Sequence, residues 1–129
     1  MSDSNGNVVI ILTAGKADNG KNATMAFSCG VSSLAIAKPT VIFLTSDGAV
    51  WGFDGSALGI AVQGFPPLEA LIENYLQEGG RIILCSVCSR TCSAGKPSDM
   101  YPTKTLSGIE IGGFATVLDL AIGGTTISF

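Results

Sequence analysis

Three cysteines fall within one short stretch, Cys85-x2-Cys88-x3-Cys92. Cys85 closes the apolar run Arg81-Ile82-Ile83-Leu84-Cys85, which reads as a strand. In an open parallel sheet, reactive groups collect where strands end at their carboxyl side. A thiol there is expected to be partly exposed. The backbone amides that follow it, with Arg90 and Lys96 nearby in sequence, favour the thiolate, the nucleophilic and sulfur-carrying form. The plainer alternative makes Cys85 the last buried residue of its strand, since cysteine packs as a small hydrophobe. Cys88 stands at C-x-x-C spacing, so a redox dithiol is also available, with Cys85 attacking and Cys88 resolving a mixed disulfide. A third chemistry is metal: Cys85, Cys88 and Cys92 could ligate zinc or an iron–sulfur cluster. A closed site needs a fourth ligand, and the sequence has no histidine. Only Cys29 could supply it, and Cys29 sits among apolar residues as core filler. No metal and no cofactor is assigned.

The remaining chemistry-bearing residues say less. Gly15-Lys16-Ala17-Asp18-Asn19-Gly20-Lys21-Asn22 has the G-x-x-x-x-G-K spacing of a phosphate-binding loop between a strand and a helix. Asn22 stands where that loop needs a magnesium-binding hydroxyl, and Thr24 is displaced by two residues. The simpler account is a solvated turn feeding a helix amino terminus, with room for a weak anion site. Asp47-Gly48 reads as a turn, Trp51 as a core or subunit-interface aromatic, and Glu110 as a strand-end residue or the partner of a nearby cation. With no histidine, Ser-His and Cys-His triads are excluded. No paired-carboxylate spacing stands out.

The elements that must position these residues follow from periodicity. Val8 to Leu12 is an apolar, β-branched run and reads as a strand buried on both faces, which implies a parallel sheet. Asn22 to Ala37 reads as a helix stopped by Lys38-Pro39, and Val41 to Leu44 as a second buried strand. Ala49 to Gln63 is Gly-rich and weakly periodic. A helix starting with Pro66-Pro67 in its first turn places Leu68, Leu71, Ile72, Tyr75 and Leu76 on one face and ends at Gly79-Gly80. After the Arg81–Cys85 strand, Ser86 to Thr105 reads as a long loop. A short strand at Ile109-Glu110-Ile111, a helix from Gly113 to Ala121 and a last strand from Thr125 to Phe129 complete the chain. Strands alternating with helices predict a three-layer α/β/α sandwich with a mainly parallel sheet of about five strands.

The 129 residues fit a single domain spanning residues 1–129, with residues 1–6 expected to be a flexible amino terminus. The composition is 47% hydrophobic and 13% charged, with mean hydropathy +0.48, which excludes disorder. So few charges coat the surface poorly, and a homo-oligomer is expected. A membrane span is not expected: the longest charge-free stretch, 22–37, is 16 residues and carries polar side chains. A net charge of −3 with scattered basic residues gives no footprint for nucleic acid. The start of the chain lacks the basic and apolar regions of a secretory signal, so a cytoplasmic location and reduced thiols are expected.

Taken in order, ILTAG (Ile11 to Gly15), ATMAF (Ala23 to Phe27), VIFLTSDGAVW (Val41 to Trp51), GFPPLEALI (Gly64 to Ile72), GGRIILCSVC (Gly79 to Cys88) and GIEIGGFAT (Gly108 to Thr116) resemble the DsrE/DsrF-like sulfur-relay family. The resemblance runs from Asn7 to Phe129. It implies a small α/β domain with a mainly parallel five-stranded sheet, assembled as trimers or hexamers. It also implies that Cys85 accepts sulfane sulfur as a persulfide, in a sulfurtransferase-like role, from a donor protein and for an acceptor protein. Cys88 coincides with a second cysteine found in part of the family, whereas Cys92 and the stretch to Tyr101 depart from the pattern. A thiol beside a persulfide attacks it and expels sulfide, which suits reductive release. The alternative from a different class is a non-catalytic binding module or redox protein that uses the Cys85/Cys88/Cys92 loop for metal or disulfide chemistry.

Overall fold

Five strands form one parallel sheet: β1 (Val8–Leu12), β2 (Thr40–Leu44), β3 (Arg81–Cys85), β4 (Glu110–Gly112) and β5 (Thr125–Ser128). The computed structural model describes residues 6–87 and 104–129; residues 1–5, assigned from sequence to a flexible terminus, and Cys88, Arg90, Cys92 and Lys96 lie outside the described residues. The strand order is β4-β3-β2-β1-β5, and every neighbouring pair is parallel. Parallel strands need crossovers, supplied here by α1 (Lys21–Ala35), α2 (Leu68–Gln77) and α3 (Phe114–Ala121). The expected α/β/α sandwich is the fold observed.

Adjacent residues of β2 show the two layers. Ile42 lies under Gly30 of α1, whereas Phe43 meets Phe114 of α3 edge-on with ring centroids 5.9 Å apart. Successive strand side chains point to opposite faces, so α1 lies on one face of the sheet and α3 on the other. From β1 to β4 the chain steps across the sheet one way, then α3 carries it from β4 back to the far edge at β5 over the opposite face. Reversing both direction and face keeps one crossover hand, as twisted parallel sheets require.

The central strands are buried on both faces and read as unbroken apolar runs, while β4 and β5 are short, largely exposed edges. Trp51, Tyr75, Phe27 and Phe43 are the largest fully buried side chains. Tyr75 anchors α2. Its ring meets Phe27 edge-on at 5.6 Å, and a Cβ on Gly30 would fall 2.7 Å from the ring, so that α1 position suits only glycine without a shift.

Helix α1 stops before Lys38-Pro39. Ala37 takes a left-handed conformation (φ 66°), and the Ala37 and Lys38 amides donate to the carbonyls of Leu34 and Ser33. The sequence places Pro66-Pro67 in the first turn of α2, but the helix starts one residue later, at Leu68, with Pro67 as its cap residue. The turn read at Ser46-Asp47-Gly48 extends into a 3-10 segment, Ser46–Gly52, buried from Gly48 onward. It caps the carboxyl end of the sheet: the Gly48 amide donates to the Thr13 carbonyl at 3.0 Å, and the Trp51 indole Nε1 donates to the Ala14 carbonyl at 2.8 Å.

Candidate functional site

Cys85 is the last residue of β3, paired with Gly112 of β4, and the next amide, Ser86, donates to the Gly112 carbonyl at 2.9 Å. Alternation along β3 sets Cys85 on the same face as Ile83, which approaches Gly112, and therefore on the α3 face. Gly113 caps α3 directly beyond this strand end. A Cβ there would meet only Ser86 Oγ, at 3.8 Å, so ordinary contact space remains beside the residue that follows the thiol.

The thiol is not partly exposed as anticipated. Cys85 is only 3% accessible and belongs to the hydrophobic core cluster. A strand flanked on both sides is covered out to its last residue, and exposure begins beyond it: Ser86 is half-buried and Val87 is 55% exposed. Cys88 and Cys92 lie outside the described residues. Among the described residues, no group of three or more Cys, Asp or Glu side chains could hold a metal ion. Cys29 sits in α1, half-buried against the core, and burial pushes its thiol pKa up, away from the reactive thiolate. Packing accounts for Cys29.

The G-x-x-x-x-G-K loop is occupied by its own carboxylate. Lys16–Asp18 forms a short 3-10 turn, Asn19 and Gly20 adopt left-handed conformations, and α1 starts at Lys21. Asp18 reaches forward so that Oδ1 accepts the Gly20 amide at 3.0 Å and Oδ2 accepts the Asn22 amide at 2.9 Å. These are amides that a bound phosphate would use, so the loop is a self-capped helix start. Lys16 turns away, with its Nζ 5.9 Å from the centre of the Trp51 ring. Glu110 has the cation the sequence allowed for. Arg81 donates from Nε and Nη2 to its two carboxylate oxygens at 2.9 and 2.8 Å, across the β3–β4 pair.

One feature has no counterpart in the sequence reading. A cleft of about 630 Å³ opens on the face opposite Cys85. Phe53 forms its floor above the fully buried Trp51, the α2 residues Glu69, Ile72, Glu73 and Leu76 one wall, and residues 104–109 the other. Gly52 ties the floor to the sheet end, because a Cβ there would contact Leu44 and Leu84 side chains. Leu84 thus packs beneath Gly52 on one face of the sheet while Cys85, one residue on, faces α3. Of the α2 wall, Ile72 and Leu76 belong to the apolar spacing read in the sequence, whereas Glu69 and Glu73 do not. The opposing wall comes from a segment about 30 residues away that sequence periodicity does not join to it.

The whole architecture is similar to that of a solved structure, the ychN protein from E. coli, with a TM-score of 0.70 over 96% of this chain and 99% of that one, at 15% sequence identity. The ychN protein has a DsrE/DsrF-like fold. At that identity the likeness is one of fold. No protein-family model matches the chain, and no curated protein matches it by sequence. Among the described residues, no helix is long and apolar enough to cross a membrane.

Proposed function

We propose that this chain carries sulfane sulfur on Cys85, with Cys88 as the thiol that modulates or discharges it. The observation that carries this reading is the position of Cys85 as the last residue of β3, beside the start of α3, in a chain-long DsrE/DsrF-like architecture. In the loading step the Cys85 thiolate attacks the outer sulfur of a donor persulfide, R–S–SH. The donor S–S bond breaks, Cys85–S–SH forms and R–S⁻ leaves. An acceptor thiolate takes the outer sulfur by the same exchange. If Cys88 attacks the inner sulfur instead, a Cys85–Cys88 disulfide forms and HS⁻ departs. Burial of Cys85 shields the loaded sulfur from stray thiols, so the donor must open the strand end at Ser86 and Val87.

Self-association fits the same reading. Ile111, Phe114, Leu118 and Ile122 are 55–77% exposed, the last three recurring at helical spacing along α3, on a chain poor in charge. Leu118→Lys is expected to lower the particle mass measured by light scattering.

A second reading draws on the 3% exposure of Cys85, which favours a packing role and a non-catalytic binding module. Mass spectrometry after incubation with a low-molecular-weight persulfide separates the two. A gain of one sulfur atom, reversed by dithiothreitol and absent in Cys85→Ser, supports sulfur carriage. An unmodified wild-type Cys85 under conditions that load a control thiol sinks it. Zinc or iron bound to the purified protein and lost in Cys92→Ser would assign the thiols to metal instead.

A further inference from the structure

We propose that the cleft between α2 and residues 104–109 binds a small organic cation with an apolar body, such as an arylalkyl ammonium. The site is built from fixed parts. The Asp54 amide donates to the Lys104 carbonyl at 2.7 Å, the Leu106 amide donates to the Gly52 carbonyl at 2.9 Å, and Phe53 bridges Thr105 in antiparallel fashion. These bonds hold the far wall against the floor, and helix α2 forms the near wall. A volume of about 630 Å³ falls within the range of roughly 300–1,000 Å³ typical of small-molecule sites. Phe53, Ile72, Leu76 and Ile109 give the cleft an apolar part, backed by the buried Trp51.

Charge selects the occupant. Among the described residues that line the cleft, Asp54, Glu69 and Glu73 carry negative charge and Lys104 alone carries positive charge. Glu69 and Glu73 are one helical turn apart on the same face of α2, and Asp54 faces them from the floor loop. Among the described residues, no cation engages any of the three carboxylates. An anionic ligand would meet net repulsion, and a neutral one would leave the carboxylates unused. A cation with an aromatic or aliphatic body fills the floor and places its charge at the rim. Cys85 lies on the other face of the sheet, so this site is independent of the sulfur reading.

The test compares three probes of similar size: 2-phenylethylammonium, 2-phenylethanol and phenylacetate. Trp51 is the only tryptophan in the chain and lies directly behind the cleft floor, so its fluorescence reports occupancy, with calorimetry as the second readout. The ammonium is expected to bind more tightly than the alcohol, and the acetate not to bind. The double variant Glu69→Gln/Glu73→Gln, on exposed helix positions, is expected to weaken ammonium binding about three- to tenfold, the value of two partly screened ion pairs. Cys85→Ser is expected to leave it unchanged. Equal affinity for all three probes, no binding of the ammonium at millimolar concentration, or a double variant that binds like wild type while keeping its circular dichroism would each overturn the proposal.

Discussion

The Asp18 carboxylate and the Asn22 amide meet at 2.9 Å across the first turn of α1, and the same carboxylate holds the Gly20 amide at 3.0 Å. Charge at a helix amino terminus is also favoured by the helix dipole. Asp18→Ala removes both bonds and is expected to destabilise the fold by about 1 kcal/mol in urea unfolding, the usual cost of losing a cap. Asp18→Asn keeps an acceptor and should recover part of that loss. Since the carboxylate already fills the position, wild-type protein is expected to show no ATP or inorganic phosphate binding by calorimetry.

Tyr75 makes the second prediction. Its hydroxyl lies 2.7 Å from the Arg81 carbonyl and 3.1 Å from that of Thr40, joining α2 to the starts of β2 and β3. Tyr75→Phe leaves these carbonyls without that donor and is expected to cost about 1–3 kcal/mol. Burial also pushes the phenol pKa well above its ordinary value, with smaller opposing effects from the Arg81 backbone and charge. A raised folded pKa contributes stability that is fully present below the unfolded value, about 10, and is lost as pH rises beyond it. Unfolding midpoints should therefore fall above about pH 10 in wild type and fall less steeply in Tyr75→Phe.

Glu110 gives the opposite sign. The hydrogen bonds from Arg81 hold its carboxyl below the usual carboxylate range, outweighing desolvation, which pushes the other way, with a lesser contribution from the Arg81 charge. A depressed folded pKa gives stability that is present above the unfolded value, about 4.3, and disappears as pH falls through the lower folded value. Both side chains are more than two-fifths exposed, so solvent screens the pair. Glu110→Gln is expected to cost only about 0.5 kcal/mol at pH 7, less in high salt, and nothing in acid once the carboxylate is protonated.

Thr24 is a site for gain. It is fully buried in α1, and its Oγ1 has no hydrogen-bond partner among the described residues. Thr24→Val keeps the shape and removes the unsatisfied hydroxyl, so stability in urea should rise by about 1 kcal/mol.

Much of the architecture was legible because parallel strands buried on both faces must be continuous apolar runs: VVIIL, VIFL and RIILC name themselves. Helix α2 was legible through the spacing of Leu68, Leu71, Ile72 and Tyr75. The 3-10 segment Ser46–Gly52 was not, because it lacks an amphipathic period and is held by the Thr13 and Ala14 carbonyls of a different loop. The Gly15–Lys21 spacing suggested a phosphate loop because spacing does not reveal which side chain folds back onto the amides. Cys85 was located correctly at a strand end. Its burial depends on the neighbouring strand and α3, which arrive later in the chain, and the cleft depends on contacts between α2 and residues 104–109. These are long-range relations that local periodicity does not carry.

The pairing of β5 with β1 has a consequence for how the chain is made. Val8 through Ile11 find their second neighbours only in Thr125 through Ser128. Until those residues leave the ribosome, β1, made well before its partner, presents an open row of amides and carbonyls to any other nascent chain. A polypeptide stopped before Thr125 would keep that row exposed for good, so premature termination there should yield inclusion bodies, not a trimmed but soluble product.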